Sequence, residues 1–148
     1  MSGAPASGVW IALVLGAVGT TAGAEPSTAE GDRRQEIVRA FVAAFNRHDV
    51  ERMVGLVDDS VQWLSVDGTK LAIEADGRTA LRESMTSYFA SCPTCRSAIE
   101  SIGTFGSRIV VLEVAQWTVR GERREQRALA VYEFRGDRIL RVHYFAAE

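Results

Sequence analysis

Few side chains in this sequence can move a proton or an electron pair near neutral pH. There are two histidines, His48 and His143, and two cysteines, Cys92 and Cys95. A further candidate is Glu113, which interrupts the apolar run Arg108–Val119. On strand alternation Ile109, Val111, Glu113, Ala115, Trp117 and Val119 share one face. A carboxyl on an apolar wall has its pKa raised by burial, which suits it to general acid–base work. The competing assignment is an ion pair with an arginine of a neighbouring strand, or a place at a dimer contact. His143 shares a strand face with Ile139, Arg141 and Phe145, whereas Tyr144 goes with Leu140 and Val142. Period alone does not say which of these faces lines a pocket. His143 is either a general acid–base partner of Glu113, histidine being the usual side chain for that work, or a hydrogen-bonded structural residue. His48 falls at a helix end, where a cation suits the dipole.

Cys92 and Cys95 stand in Cys-Pro-Thr-Cys. A redox-active pair of this spacing normally opens a helix, whose N-terminal dipole stabilises the thiolate. Here the stripe Leu81, Met85, Tyr88, Phe89 runs into Cys92, so the pair closes a helix, and Pro93 stops it. A structural disulfide is the expectation. Closing so short a loop stabilises by about 2 kcal/mol on the chain-entropy model. No metal site is expected, because the histidines lie far from the cysteines and show no ligand spacing. No other cofactor is expected.

The elements that must position these groups follow from periodicity. Asp32 and Gln35 have capping-box spacing, and Ile37, Val38, Phe41, Val42 and Phe45 predict a first helix to about Arg47. Asp49 caps a second, shorter helix with Val50, Met53, Val54 and Val57. Val61–Val66 reads as a strand, Asp67-Gly68 as a tight turn and Lys70–Ala75 as a returning strand. Asp76-Gly77-Arg78-Thr79 leads into a third helix. Four strands follow, Ser97–Thr104, Arg108–Val119, Arg127–Arg135 and Arg138–Phe145, separated by Gly-containing turns. Helices first and antiparallel hairpins after give an α+β domain with helices on one face of a sheet. Val110, Val111 and Leu112 are consecutive, as are Ala128 to Val131, so both sheet faces need cover. A homodimer supplies the second cover; the alternative is a sheet curled enough to cover itself.

Charge divides the chain of 148 residues in two. All 17 basic and 19 acidic residues lie beyond Ala24, and the formal net charge is −2. Val9–Val18 is apolar, and Ala22-Gly23-Ala24 is a small-x-small pattern. Residues 1–24 are therefore expected to be a secretory signal cleaved after Ala24, with a retained anchor as the alternative. The apolar run is short of the roughly 20 residues that span a bilayer. Residues 25–31 are expected to be a linker and residues 32–148 one domain, periplasmic or secreted and free of the membrane after cleavage. The near-neutral body lacks the basic excess that nucleic-acid binding needs.

Phe41-Val42-Ala43-Ala44-Phe45-Asn46-Arg47-His48-Asp49, with Met53, Leu56, Asp58 and Asp59 after it, resembles the opening of SnoaL-like proteins. Gly77-Arg78-Thr79-Ala80-Leu81-Arg82, the hairpin Tyr132 to Ile139 and the ending Arg141-Val142-His143-Tyr144-Phe145 are similar to that family too. These proteins belong to the nuclear transport factor 2-like superfamily, which includes ketosteroid isomerases. The resemblance implies a cone: a curved antiparallel sheet wrapped around three helices, with a pocket in the open end, often dimeric. It also implies that Trp117 matches a pocket-lining aromatic, so that the Glu113 face looks inward. The isomerase catalytic positions are empty. Phe41 stands for the oxyanion tyrosine, Trp63-Leu64-Ser65 holds no general-base aspartate, and Ala130 stands for the protonated aspartate. Steroid isomerase chemistry of that type is not expected, and the aspartate–arginine–aspartate set of the superfamily's epoxide hydrolases is not evident. Trp63, Trp117 and Tyr132 line an apolar cavity or form plain core. Such a cavity suits a small hydrophobic molecule. Three functions stay open: a ligand-holding protein, a general acid–base enzyme using Glu113 with His143 or Tyr132, and a dimeric interaction module.

Overall fold

The computed structural model describes residues 28–147. The expected export signal, its cleavage site and residues 25–27 of the linker lie outside them. Two helices open the described chain, α1 (Thr28–Asn46) and α2 (Val50–Gly55). A hairpin of β1 (Val57–Asp67) and β2 (Lys70–Asp76) follows, then α3 (Arg78–Ser91). The rest is strand: β3 (Arg96–Phe105), β4 (Arg108–Val119), β5 (Glu122–Arg135) and β6 (Arg138–Ala146). This is the α+β architecture expected, a curved six-stranded sheet with helices on its concave face.

The strand order is β2-β1-β6-β5-β4-β3. Every junction is antiparallel except β1 with β6, which run parallel. That one parallel contact needs no crossover helix of its own, because α3 and two hairpins intervene between the strands. The core lies between helices and sheet. Val38, Phe41 and Ala44 from α1, Leu81, Met85 and Phe89 from α3, and Ile109, Val111, Ala130, Tyr132 and Val142 from the strands meet there.

Several element boundaries depart from the sequence reading: β5, expected from Arg127, begins at Glu122, and two other departures have a visible cause. The first helix starts at Thr28, so Asp32 lies inside it and caps nothing. Tertiary contacts drive this extension. Gly31 is buried where an added Cβ would meet the Thr104 side chain at 3.0 Å, and Gln35 Nε2 donates to Thr104 Oγ1 at 3.0 Å instead of turning back to a cap. Arg34, also buried, donates to the Ser107 carbonyl and pairs with Glu30 one turn earlier. Residues 28–31 are thus helix rather than linker. The second departure is Val57, which opens β1 instead of ending α2. Asp49 does cap α2 as expected, its Oδ1 accepting from Arg52 N at 3.0 Å.

Candidate functional site

A cavity of about 320 Å³ opens between the helices and the concave face of the sheet. Phe41, Val42 and Phe45 of α1 and Leu81, Ser84, Met85 and Tyr88 of α3 form one side. Trp63 and Ser65 of β1, Glu74 and Ala75 of β2, and Ser97, Glu113, Ala115, Tyr132 and Tyr144 of β3 to β6 form the other. The sequence makes room for it on β5. Ala128 faces Glu113 in the ladder and Ala130 faces Tyr144 on the other side, both buried. Two methyl-sized side chains there leave the volume into which the longer neighbours lean.

Glu113 is the polar centre of this cavity. Its residue is 6% exposed, and alternation along β4 sets it two places beyond Val111 on the buried face. Tyr132 donates from its hydroxyl to Glu113 Oε1 at 2.8 Å, and Ser97 Oγ donates to Oε2 at 2.8 Å. Among the described residues no arginine, lysine or histidine pairs with it. Burial raises the Glu113 pKa, and the two hydroxyl bonds pull the other way without cancelling it. The same carboxylate acts on its neighbours. Tyr132 is raised well above the ordinary phenol value, by burial first and the Glu113 charge second. Tyr144 is pushed up to about 12 by burial, then by Glu113 and Tyr88. Both phenols therefore stay protonated at neutral pH, and Tyr132 donates to Glu113.

Ser97 is held in turn. Asn46 at the end of α1 donates from Nδ2 to the Ser97 carbonyl at 2.8 Å and accepts from Ser97 N at 2.7 Å. Two residues upstream is Cys95, bonded to Cys92 in a disulfide that closes the C-terminal end of α3. Tyr88, on the cavity wall, points its hydroxyl at Cys95 Sγ, 3.3 Å away. His48 contacts the Cys95 carbonyl at 3.1 Å and stacks on Phe89 at 4.1 Å. It is structural packing for this loop.

The structure brings Glu113, Tyr132 and Trp63 together and separates two expected members. His143 does not line the cavity. Its neighbours Val142, fully buried in the core, and Tyr144, on the cavity wall, face the concave side, so His143 points to the convex side in register with Leu64 and Val131. The expected grouping holds for His143 with Arg141 and Phe145 and for Tyr144 with Val142; Ile139 leaves it, because the ladder shifts register between it and Arg141 and Ile139 turns inward like Val142. Trp117 shares the parity of Glu113 but lies beyond the cavity, half-buried opposite Arg124 in the outer part of the β4–β5 hairpin. Period fixes its face and not its depth. The polar lining residues that sequence reasoning missed are Ser65, Glu74, Ser84, Tyr88, Ser97 and Tyr144. Tyr144 carried a signal, since it alternates with Val142; the short polar residues carried none.

A SnoaL-like domain model matches residues 38–142, well over half of the chain. The chain belongs to the SnoaL-like domain family. Solved structures similar to this SnoaL-like domain include Bal32a from a soil-derived mobile gene cassette. It is 20% identical, with 80% of this chain and 92% of that one covered and a TM-score of 0.71. TerC co-crystallised with polyporic acid is 18% identical over 78% and 92% of the two chains, with a TM-score of 0.66. An M. tuberculosis LEH-like epoxide hydrolase is 18% identical over 80% and 85%, with a TM-score of 0.63. At these identities the likeness shows the fold alone. No curated protein sequence matches the chain.

Proposed function

We propose that this SnoaL-like domain binds a small, mainly apolar organic molecule in its cavity and exchanges a proton with it through Glu113. The observation that carries this reading is a buried carboxyl facing a mainly apolar cavity with two hydroxyl partners and, among the described residues, no cation. A structural glutamate at such a depth is ordinarily neutralised by an arginine, and this one is not. Each carboxylate oxygen has a second lone pair, so two acceptor positions remain for a ligand hydroxyl or an acidic C–H. The raised pKa makes its carboxylate a stronger base than that of an ordinary glutamate. Tyr132 takes the partner role that the sequence reading divided between Tyr132 and His143. The epoxide hydrolase and TerC share the fold and lend the reading a precedent for small-molecule sites in it.

Fluorescence titration with a naphthol tests this, because its emission reports the state of its hydroxyl. The naphthol should bind more tightly as pH rises through the Glu113 titration, and Glu113→Gln should weaken it about tenfold or more, the scale of a hydrogen bond to a charged group. Absence of binding, or an unchanged pH dependence in Glu113→Gln, contradicts the reading.

A second copy of the chain on the convex face is part of the proposal. Leu71, Val66, Phe145, Leu129 and Leu112 form one register row there. Leu71 is 62% exposed, Leu129 41% and Phe145 36%. Such a row covered by its twin removes an apolar patch from water. Export is the remaining part, supported by the disulfide and by the charge-free segment before Glu25.

A further inference from the structure

Charge and aromatic content of the cavity point to a narrower class of ligand. Two carboxylates line it, Glu113 in the depth and Glu74 at the exposed rim. Among the described residues no lysine, arginine or histidine lines it. The titratable groups that face Glu113 across the space are Tyr132 on β5, Tyr144 on β6, Tyr88 on α3 and Glu74 on β2; the α1 wall, Phe41, Val42 and Phe45, carries none. Glu74 Oε1 accepts from Ser65 Oγ at 2.5 Å, and Ser65 itself lies on the wall, so the rim carboxylate is held toward the opening.

Aromatic rings line both walls. Trp63 and Tyr144 lie 6.3 Å apart with a 31° tilt on the sheet side. Phe45 and Tyr88 lie 5.9 Å apart on the helix side. The negative π-faces of such rings attract a desolvated cation, and Trp and Tyr do so best. An anion entering the same space meets two carboxylates and four aromatic rings, with no cation among the described residues to offset them.

We propose that the ligand of this cavity carries a positive charge: an amine or ammonium group seated between the Trp63–Tyr144 and Phe45–Tyr88 faces, with Glu74 at the rim as the residue that selects for the charge. This rests on the reading that the cavity is a ligand site with Glu113 as its proton-exchanging group, and adds the charge class to it. Arrival of a cation favours the ionised form of Glu113, so binding releases a proton to solvent and tightens as pH rises.

Three probes of similar size and different charge test this against the naphthol. They are phenyltrimethylammonium, its neutral isostere tert-butylbenzene, and benzoate. None of the first two can donate a hydrogen bond, so their difference reports charge alone. Displacement of bound naphthol should rank the ammonium about tenfold ahead of tert-butylbenzene, the order of a partly desolvated cation–π contact, with benzoate last. Glu74→Gln should narrow the gap between cation and isostere severalfold and leave tert-butylbenzene unchanged. Equal displacement by cation and isostere, or benzoate equal to either, overturns the proposal while Glu113-dependent naphthol binding still stands. Failure of naphthol and all three probes to bind overturns both.

Discussion

Glu113 and Glu133 sit on adjacent strands of one sheet and meet opposite fates. Glu113 faces the concave side, with hydroxyl partners from Tyr132 and Ser97. Glu133 follows Tyr132 directly and so faces the convex side, where Arg108 Nε donates at 2.8 Å and Arg141 Nη1 at 2.9 Å. Burial disfavours the charged form of both. At Glu133 the hydrogen bond and charge of Arg108, then those of Arg141, outweigh it and lower the pKa. At Glu113 no cation pairs with the carboxyl among the described residues, and burial raises the pKa. A single step of strand alternation thus separates a carboxylate kept charged for architecture from a carboxyl kept close to its proton. Depth and pairing both differ: Glu133 is half-buried and paired with two arginines, whereas Glu113 is buried, bonded only to hydroxyls, and stands at the cavity.

The two faces should also differ when cut. Phe41→Ala removes a ring that is 2% exposed and stacks on Trp63 at 5.9 Å, and should cost about 3–5 kcal/mol in denaturant unfolding. Phe145→Asp on the convex face should leave the fold intact and convert a dimer to monomer in analytical ultracentrifugation. A monomer in the unaltered protein contradicts the dimer.

Tyr132→Phe sharpens the concave half of the comparison. It leaves Glu113 Oε1 without its donor and should cost about 1–3 kcal/mol at neutral pH, less in acid where the carboxyl is protonated. Because that donor favours the charged form, its loss moves the Glu113 pKa further up. Equal cost at acid and neutral pH breaks the account.

Glu133→Gln addresses the convex half and has the smallest effect. The lowered pKa means that its stabilisation is present above the ordinary value of 4.5 and is lost as pH falls through the folded value. Its two ion pairs reach half-exposed arginines, so the loss should be about 0.2–1 kcal/mol at neutral pH, smaller in high salt and absent in strong acid. A cost that persists in acid assigns the effect to packing.

Much of this was legible in the sequence, for identifiable reasons. β4 has the boundaries expected from its turns and apolar residues, and its alternation placed Glu113 on the face with Ile109 and Val111. The disulfide followed from Cys-x-x-Cys closing a helix. Local rules failed where tertiary contacts decide. The extra turn of α1 exists because Gly31 and Gln35 meet Thr104 on β3, seventy residues on, and no local cap signals that. Period set His143 opposite Tyr144 but could not say which of the two faces the cavity, because both faces of β6 are part-buried. Ser97 and Glu74 reach the cavity through pairing with β4 and β1, and only the sheet order β2-β1-β6-β5-β4-β3 reveals that they share it.

The central claim is that Glu113 holds its proton more firmly than an ordinary glutamate because it is buried without a cation. The carbon-13 shift of its carboxyl against pH measures this directly, with Glu113→Gln assigning the resonance. The account predicts a midpoint above 4.5, with stability contributed by this group full below that pH and lost as pH rises through the midpoint. A midpoint at or below 4.5 would contradict it.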